Sequence, residues 1–480
     1  MKIHALFLAT ATTALAAFPS VGPDYQRPST VSPAAYRDQP ADPGNWKTAV
    51  PADDLARGEW WQLYADPTLD DLEKRALAAN QQLRAAVARL DEARAAAGLA
   101  RSEYLPSAII DPSIVRERTS ATTDNTFPQT ETTTYRGTLS ASWEIDLFGR
   151  VRRQNESARA EAAASAADLQ SVQLALTTEV AANYFSLRGL MSEIVLVGKG
   201  VDLRRQTLKL ITSRRSLGAA TDFDVARAES ELASTEAEAA ALQNRHSMVK
   251  NALAVLVGEA AFGFELADSA LVMTEPPRVP AGLPSELLER RPDVAAAERS
   301  LAAANARIGV AKAAFFPAIS LTGGAGWASG DMDRLFNADS RIWSIGPSLY
   351  LPIFQGGRNK ANLERSRAAY DEAVAVFRQH VLFAFREVQD ALTATRLLAE
   401  QSAAQDRALA AARRSDELAQ KRYDSGYVNL LEVIDAQRTV LTTERASVQL
   451  AAQRLNTSVA LIKAVGGAWT LQPRTVAMNP

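Results

Sequence analysis

Cysteine is absent from this 480-residue chain, which excludes disulfides, thiol nucleophiles and cysteine-based metal sites together. Histidine is almost as scarce. His4, His246 and His380 are the only three, too scattered for a histidine-rich metal centre or a serine–histidine triad. Neither sign of charge dominates: the formal net charge is −2, and no Lys/Arg cluster is interleaved with aromatics, so nothing attracts nucleic acid. Past the first residues no run of about 18 apolar residues occurs, so no membrane-spanning helix is read from the chain. Any insertion into lipid would have to use β-strands, because only helices and closed barrels satisfy backbone polar groups there. Carboxylates are plentiful but spread along helices as solvated faces. The glycines of Thr322-Gly323-Gly324-Ala325-Gly326 precede no helix and make no phosphate loop. The expectation is a non-enzyme without cofactors.

What is present is order: 47% of the residues are hydrophobic and 22% charged, a globular composition. Lys2 followed by the small apolar stretch Ala5 to Ala17, with Ala14-Leu15-Ala16 as a cleavage site, reads as a secretion signal over 1–16.

The chain repeats itself. Trp143-Glu-Ile-Asp-Leu-Phe-Gly149-Arg150 is answered by Tyr350-Leu-Pro-Ile-Phe-Gln-Gly-Gly357-Arg358, a shift of 208 (150 to 358). Gly218 and Gly426, Glu179-Val180 and Glu387-Val388, and Gly258 and Gly466 keep that shift, while Pro106 and Pro317 differ by 211 (106 to 317). This is a tandem duplication. Each half reads as helix, strand, loop, strand, very long helix, turn, helix. Alanine-rich stretches from about Asp66 to Tyr104 and Ser285 to Phe315 open the halves, with Pro67 and Pro292 near their starts. Proline-free helices follow from roughly Arg150 to Leu217 and Arg358 to Ser425, each about 100 Å long at 1.5 Å per residue. Val180, Tyr184, Leu187, Met191 and Ile194, and later Val381, Phe385, Val388 and Leu392, make a 4-3-4-3 coiled-coil seam.

Period-two alternation marks the strands. Tyr135, Leu139, Ala141, Trp143, Ile145 and Leu147 share one face; Ile319, Leu321, Ala325 and Trp327 share another, as do Trp343, Ile345, Pro347, Leu349, Leu351 and Ile353. Two hairpins give about four strands and two open edges, which lipid would not tolerate. Several copies pooling their strands would close one barrel, apolar side outward, with Trp143, Trp327 and Trp343 suited to the membrane interfaces. Glu117 to Thr134 and Ala328 to Ser340 are polar enough for external loops.

Several long motifs carry a family resemblance. They are Val21-Gly-Pro-Asp-Tyr-Gln-Arg-Pro28, Trp60-Trp61-Gln-Leu-Tyr-Ala-Asp66-Pro67-Thr-Leu69, Leu288-Glu-Arg-Arg-Pro-Asp293 running on through Glu298, Asn305, Ile308-Gly309 and Phe316-Pro317, and Arg422-Tyr-Asp-Ser-Gly426 with Asp435-Ala-Gln-Arg438. The chain resembles the TolC-like outer membrane factors of the NodT type over nearly its whole length. That resemblance implies a homotrimer, with four strands per copy forming a twelve-stranded outer-membrane barrel on a long α-helical coiled-coil tunnel in the periplasm. It also implies a passive duct with no catalysis. Its partners would be outer-membrane lipid, a periplasmic adaptor and an inner-membrane transporter, and its cargo drugs and other small toxic compounds. The exit duct of a type I secretion system shares the fold and is the alternative. On this reading 1–16 is the signal peptide, 17–65 an extended segment, 66–261 and 285–467 the two repeats, 262–284 an equatorial linker and 468–480 a tail. Lipoprotein relatives end the leader in Leu-Ala-Ala-Cys; here Phe18 follows Leu15-Ala16-Ala17, which offers no thiol to acylate.

The resemblance also places a gate and an adaptor dock at the two turns between long helices. Gly218 and Gly426 suit left-handed helix C-caps, and Thr221-Asp222 suits an N-cap and acidic first turn. Tyr423 and Asp435 match positions that hold the aperture shut in relatives, with Arg215 and Arg422 as candidate donors. Gly218, Asp222 and Gly426 would meet the adaptor.

Overall fold

The computed structural model describes residues 20–29, 58–120, 131–271, 275–277 and 290–467. The leader 1–16, the tail 468–480, most of the 17–65 segment and parts of the 262–284 linker lie outside them. The helices are α1 (Pro67–Ala79), α2 (Gln81–Ser102), α3 (Arg150–Ser216), α4 (Asp222–Leu256), α5 (Pro292–Ala313), α6 (Arg358–Asp424) and α7 (Leu430–Ala464). The strands are β1 (Ser107–Arg118), β2 (Glu131–Ile145), β3 (Ala318–Ser329) and β4 (Arg341–Tyr350). The duplication is visible in these bounds: α3 and α4 become α6 and α7 by a shift of 208 at every end (150 to 358, 216 to 424, 222 to 430, 256 to 464).

Two compact units contain the described residues. They are not the two repeats, since each draws on both halves. One holds the sheet, with Arg89–Ala166, Ala296–Arg378 and the described N-terminal residues. Its four strands run in chain order, β1-β2-β3-β4, all antiparallel, so the two hairpins join through β2 and β3. Register decides which side chains share a face, because directly opposed residues point the same way. Ile110 opposes Leu139, which opposes Ala325, which opposes Trp343; Pro112, Gly137, Trp327 and Arg341 form the next row. Ile114, Trp143, Leu321, Ile345 and Leu349 fall on that same side. The opposite side carries Asp111, Ser113, Arg136, Thr138, Ser140, Thr322, Gly324, Ser344 and Ser348, interrupted by Ile109, Val115 and Ile342. β4 ends at Tyr350, so Leu351 and Ile353 leave the alternation. β1 reaches Arg118 and β3 reaches Ser329, which shortens both expected loops.

Ile110, Ile114, Trp343, Ile345 and Leu349 are 66–79% exposed in the single chain. Burying a side chain of this size is worth about 2 kcal/mol. Leaving five in water would forgo roughly 10 kcal/mol, comparable to a whole domain's net stability. The sheet is also skewed. Followed across the register, β4 starts six residues short of the outer end of β1 (Arg341 is level with Pro112) and runs four past its inner end (Gly346 is level with Ser107). Five residues at about 3.3 Å, over three strand spacings of about 4.8 Å, give a tilt near 45–50°, close to that of outer-membrane barrels.

In the same unit the N-terminal segment is strapped to the helices. Val21 N donates to Phe148 O at 3.0 Å, Asn305 Nδ2 donates to Pro23 O at 3.0 Å, and Arg27 pairs with Glu298 at 3.1 Å. Gly309 is required there, because a Cβ would meet Arg153 Cγ at 2.7 Å and Val21 O at 3.0 Å.

The other unit is helical. Trp60, Trp61, Leu69, Leu72, Val180, Tyr184, Leu187, Leu253 and Ile462 are buried together, so the expected seam is the core stripe of α3. Asp66 explains the Trp-Trp…Asp-Pro motif. Its carboxylate caps α1 by accepting from Thr68 N at 3.0 Å, and it also accepts from Tyr184 Oη at 2.7 Å and Arg188 Nη1 at 2.9 Å. The opening helix is not continuous to Tyr104. Asn80 breaks it with an extended backbone, accepts from Leu83 N at 3.0 Å and donates to Leu256 O at 2.8 Å. Arg291 reproduces that contact in the second half, donating to Ala464 O at 3.2 Å. One window of α3 reaches a mean hydropathy of 1.2, higher than a search for unbroken apolar runs reveals. Its alanines and core residues account for that value.

Candidate functional site

Both long helices end in the same device. At the first turn Ala219 N donates to Arg214 O at 2.8 Å and Gly218 N to Arg215 O at 2.9 Å; at the second, Tyr427 N donates to Arg422 O and Gly426 N to Tyr423 O, both at 2.9 Å. These are paired Schellman closures, with Gly218 at φ 75° and Gly426 at φ 76°. Nothing lies within 4 Å of a Cβ added at either glycine, so only backbone conformation demands glycine there. The helices that leave the turns are capped equivalently: Thr221 accepts from Asp224 N at 3.3 Å and Asn429 from Glu432 N at 3.3 Å. Thr221 N in turn donates to Asp224 Oδ2 at 2.9 Å, and the bonds that Asp224 accepts from the Thr221 backbone and hydroxyl hold its carboxyl below the usual range.

The expected gate residues do gather at these turns, with different partners. Arg214, the residue before Arg215, donates to the Tyr423 hydroxyl, and its guanidinium lies over the tyrosine ring, 5.4 Å from the centroid. This contact ties the first turn to the second. Arg215 points instead to Asp222 at 2.5 Å, and Arg422 approaches Glu432 at 3.8 Å. One residue is 100° of helix rotation, which is why Arg214 and not Arg215 reaches Tyr423. Asp435 pairs along its own helix with Arg438 at 2.6 Å. Leu217, Phe223 and Tyr427 stand 70–83% exposed beside these turns.

Further along, Arg205 meets Glu236 at 2.9 Å and Arg413 meets Glu444 at 2.7 Å, the same ion pair in each half. A second tie between the halves escaped the sequence. Buried Glu193 of α3 accepts from Arg445 Nη2 at 3.4 Å and from Gln449 Nε2 at 2.8 Å, while Arg445 also binds Glu238. Asn456 Nδ2 donates to Ser186 Oγ at 3.0 Å nearby. A glutamate within the buried stretch of α3 was the available signal, but its partner lies 252 residues away. The linker shows contact too: Leu271 N donates to Ser192 Oγ at 2.8 Å, and Phe264 enters the core.

The family model for outer membrane efflux proteins matches residues 72–259 and 283–467. The solvent efflux pump outer membrane protein SrpC of Pseudomonas putida is 34% identical over 452 residues, covering 94% of this chain and 96% of that protein. Among solved structures, the outer-membrane channel OprN superposes with a TM-score of 0.84 at 32% identity, covering 94% of this chain and 99% of that one. The open state of the Neisseria gonorrhoeae MtrE outer membrane channel gives 0.78 at 29% identity, covering 93% and 98%.

Proposed function

We propose, because the chain belongs to the outer membrane efflux protein family, that three copies close a twelve-stranded barrel above a helical tunnel whose periplasmic end is gated by the turns at 216–222 and 424–430. The protein is an outer-membrane efflux channel with a helical tunnel in the periplasm. The observation that carries the closure is the sheet itself, with one apolar face, one polar face and two unpaired edges skewed by a barrel-like tilt. Joining β4 of one copy to β1 of the next removes both edges and turns the apolar face to lipid.

The gate reading rests on the tie from Arg214 to Tyr423. Asp435, repeated by three-fold symmetry, would add an acidic ring that favours cationic and hydrated cargo. Arg215 and Arg422 hold the turn ends through Asp222 and Glu432. The exposed Leu217, Phe223 and Tyr427, together with Gly218, Asp222 and Gly426, offer the adaptor a surface with an apolar centre and a polar rim. An inner-membrane transporter completes the pump. The cargo class follows the relative named for solvent efflux: small toxic compounds, solvents and drugs among them. A protein-secretion duct is not favoured, since the relatives are pump components.

The test is a deletion strain complemented with wild type or with Gly218→Pro/Gly426→Pro, exposed to toluene and to a panel of antibiotics. The reading predicts sensitivity in the deletion, rescue by wild type, and no rescue by the turn variant despite its presence in the outer membrane. Unchanged tolerance in the deletion, with loss of an exported protein, would reverse it.

A further inference from the structure

α3 and α7 lie side by side, and one side of the pair is covered. Thr177, Tyr184, Arg188 and Ser192 of α3 bond to Trp60, Asp66, Ala270 and Leu271, and Ser458 of α7 meets Tyr64. The other side carries a recess of about 440 Å³ between Ser186, Gly189 and Glu193 of α3 and Gln449, Ala452 and Asn456 of α7. At 100° per residue these positions lie about 140–170° around their helices from the covered ones. In the channel proposed above, on which this inference rests, segments packed on the duct side would plug the tunnel. The covered side is therefore the outside, and the recess opens into the lumen. Its floor is small and apolar, because a Cβ on Gly189 would meet Ala452 Cβ at 2.8 Å.

The polar atoms of the recess are acceptors. The Glu193 side chain is only 8% exposed, and its Oε2 takes the bonds from Arg445 and Gln449. Its Oε1 takes none among the described residues, yet it is not sealed from solvent, so it is open to the recess. Gln449 turns its Nε2 to the carboxylate, which leaves its carbonyl oxygen without a donor. Asn456 is fixed the same way: its Nδ2 donates to Ser186 Oγ, which donates to Ala182 O at 2.7 Å, and the sheltered Oδ1 has no donor. Arg445 stands between Glu193 and Glu238, so two carboxylates against one guanidinium leave one negative charge. Exposed Glu179 and Lys463, about 10 Å along the same face from Ser186 and Asn456, are of opposite sign and cancel. We infer that this recess is a transit site in the tunnel wall for small amphiphilic cargo bearing a primary or secondary ammonium group. The N–H donors meet Glu193 Oε1 and the Gln449 carbonyl as charge-assisted hydrogen bonds, while the apolar body lies over Gly189, Leu190 and Ala452. The volume falls within the roughly 300–1,000 Å³ of small-molecule sites.

The test is equilibrium dialysis of the full-length protein against 1-naphthylmethylammonium at neutral pH, with non-ionic detergent on both sides so that micelle uptake cancels. The site predicts saturable binding of one molecule per chain. That binding should be at least tenfold tighter than for the N,N,N-trimethyl analogue, which keeps the charge without N–H donors, or for neutral 1-naphthylmethanol. Glu193→Gln should weaken it at least tenfold. Ala460→Leu, which fills the recess from its exposed edge and leaves the Glu193 bonds intact, should do the same. Glu179→Gln, on the same face but roughly 20 Å from Glu193, should leave binding within twofold of wild type. Equal binding of either analogue, or undiminished binding by Glu193→Gln, would overturn the site. If Glu193→Gln does not assemble, Ala460→Leu must still remove the binding. In a planar bilayer the ammonium should reduce the single-channel current of wild type and spare that of Ala460→Leu; equal block of both would overturn the lumenal placement. A protein that binds the ammonium at one per chain but never conducts would instead refute the channel.

Discussion

Gly326 sits at the join between the two repeats, opposite Thr138 in the β2–β3 ladder. A Cβ placed on it would strike the Gly137 carbonyl oxygen, with Thr138 Cα at 2.8 Å and Gly137 C at 3.0 Å. All three are backbone atoms of a paired strand, so no side-chain rotation relieves the contact. Restoring an ordinary separation needs a shift of about 1 Å. That shift stretches neighbouring ladder bonds from about 2.9 Å to nearly 4 Å, beyond hydrogen-bond range. Losing about three such bonds at roughly 1 kcal/mol each predicts a destabilisation of about 3 kcal/mol for Gly326→Ala. Gly346→Ala is the control: it lies in the adjacent strand with open space around its Cβ, and alanine there is expected within about 0.5 kcal/mol of wild type. Urea midpoints and the fraction of assembled protein surviving mild SDS at room temperature read both. If Gly326→Ala matched wild type, or both variants were equally damaged, the register argument would be wrong.

Breaking the buried tie by Arg445→Ala should cost about 2–3 kcal/mol, less than the 3–5 of a fully buried pair, because Arg445 keeps 22% of its side-chain exposure; Glu193→Gln should cost less, and urea titration of both variants checks the order. Gly218→Ala should lose about 1–2 kcal/mol from its left-handed backbone alone. Gly258→Ala should lose more, since its Cβ also meets Ala79 O at 2.6 Å; equal losses would contradict the steric account. Glu73 is fully buried with neither carboxylate oxygen bonded, and burial, reinforced by nearby Asp70, pushes its carboxyl up to about 9. In the unfolded chain it titrates near 4.3, so its favourable contribution is complete below that pH and drains away as pH rises toward 9. Glu73→Gln should therefore gain thermal stability over wild type progressively from pH 5 to pH 9, and a pH-independent difference would count against it.

Much of the architecture was legible because the duplication fixes its own phase. The shift of 208 that matched Gly218 to Gly426 in sequence also matches their Schellman closures, the caps at Thr221 and Asn429, and the ion pairs Arg205–Glu236 and Arg413–Glu444. Strand parity likewise identified the apolar face, since a period of two leaves no other assignment. The break at Asn80 was missed because alanine-rich helix propensity runs through it, and the break depends on a carbonyl at Leu256. Arg214 was passed over for Arg215 and Arg422 because the choice depends on how two separate helix ends face each other. Glu193 and Arg445 belong to the same class: ordinary charged residues in sequence, paired only by the fold.

Planar-bilayer recording of the purified protein asks whether this chain makes a gated pore. Wild type should give discrete single-channel steps of small conductance, rising several-fold in Tyr423→Phe/Asp435→Ala and in Arg214→Ala. Equal, appreciable conductances would keep the pore and remove the gate. No conductance from any of them, with insertion confirmed, would mean that the chain forms no pore.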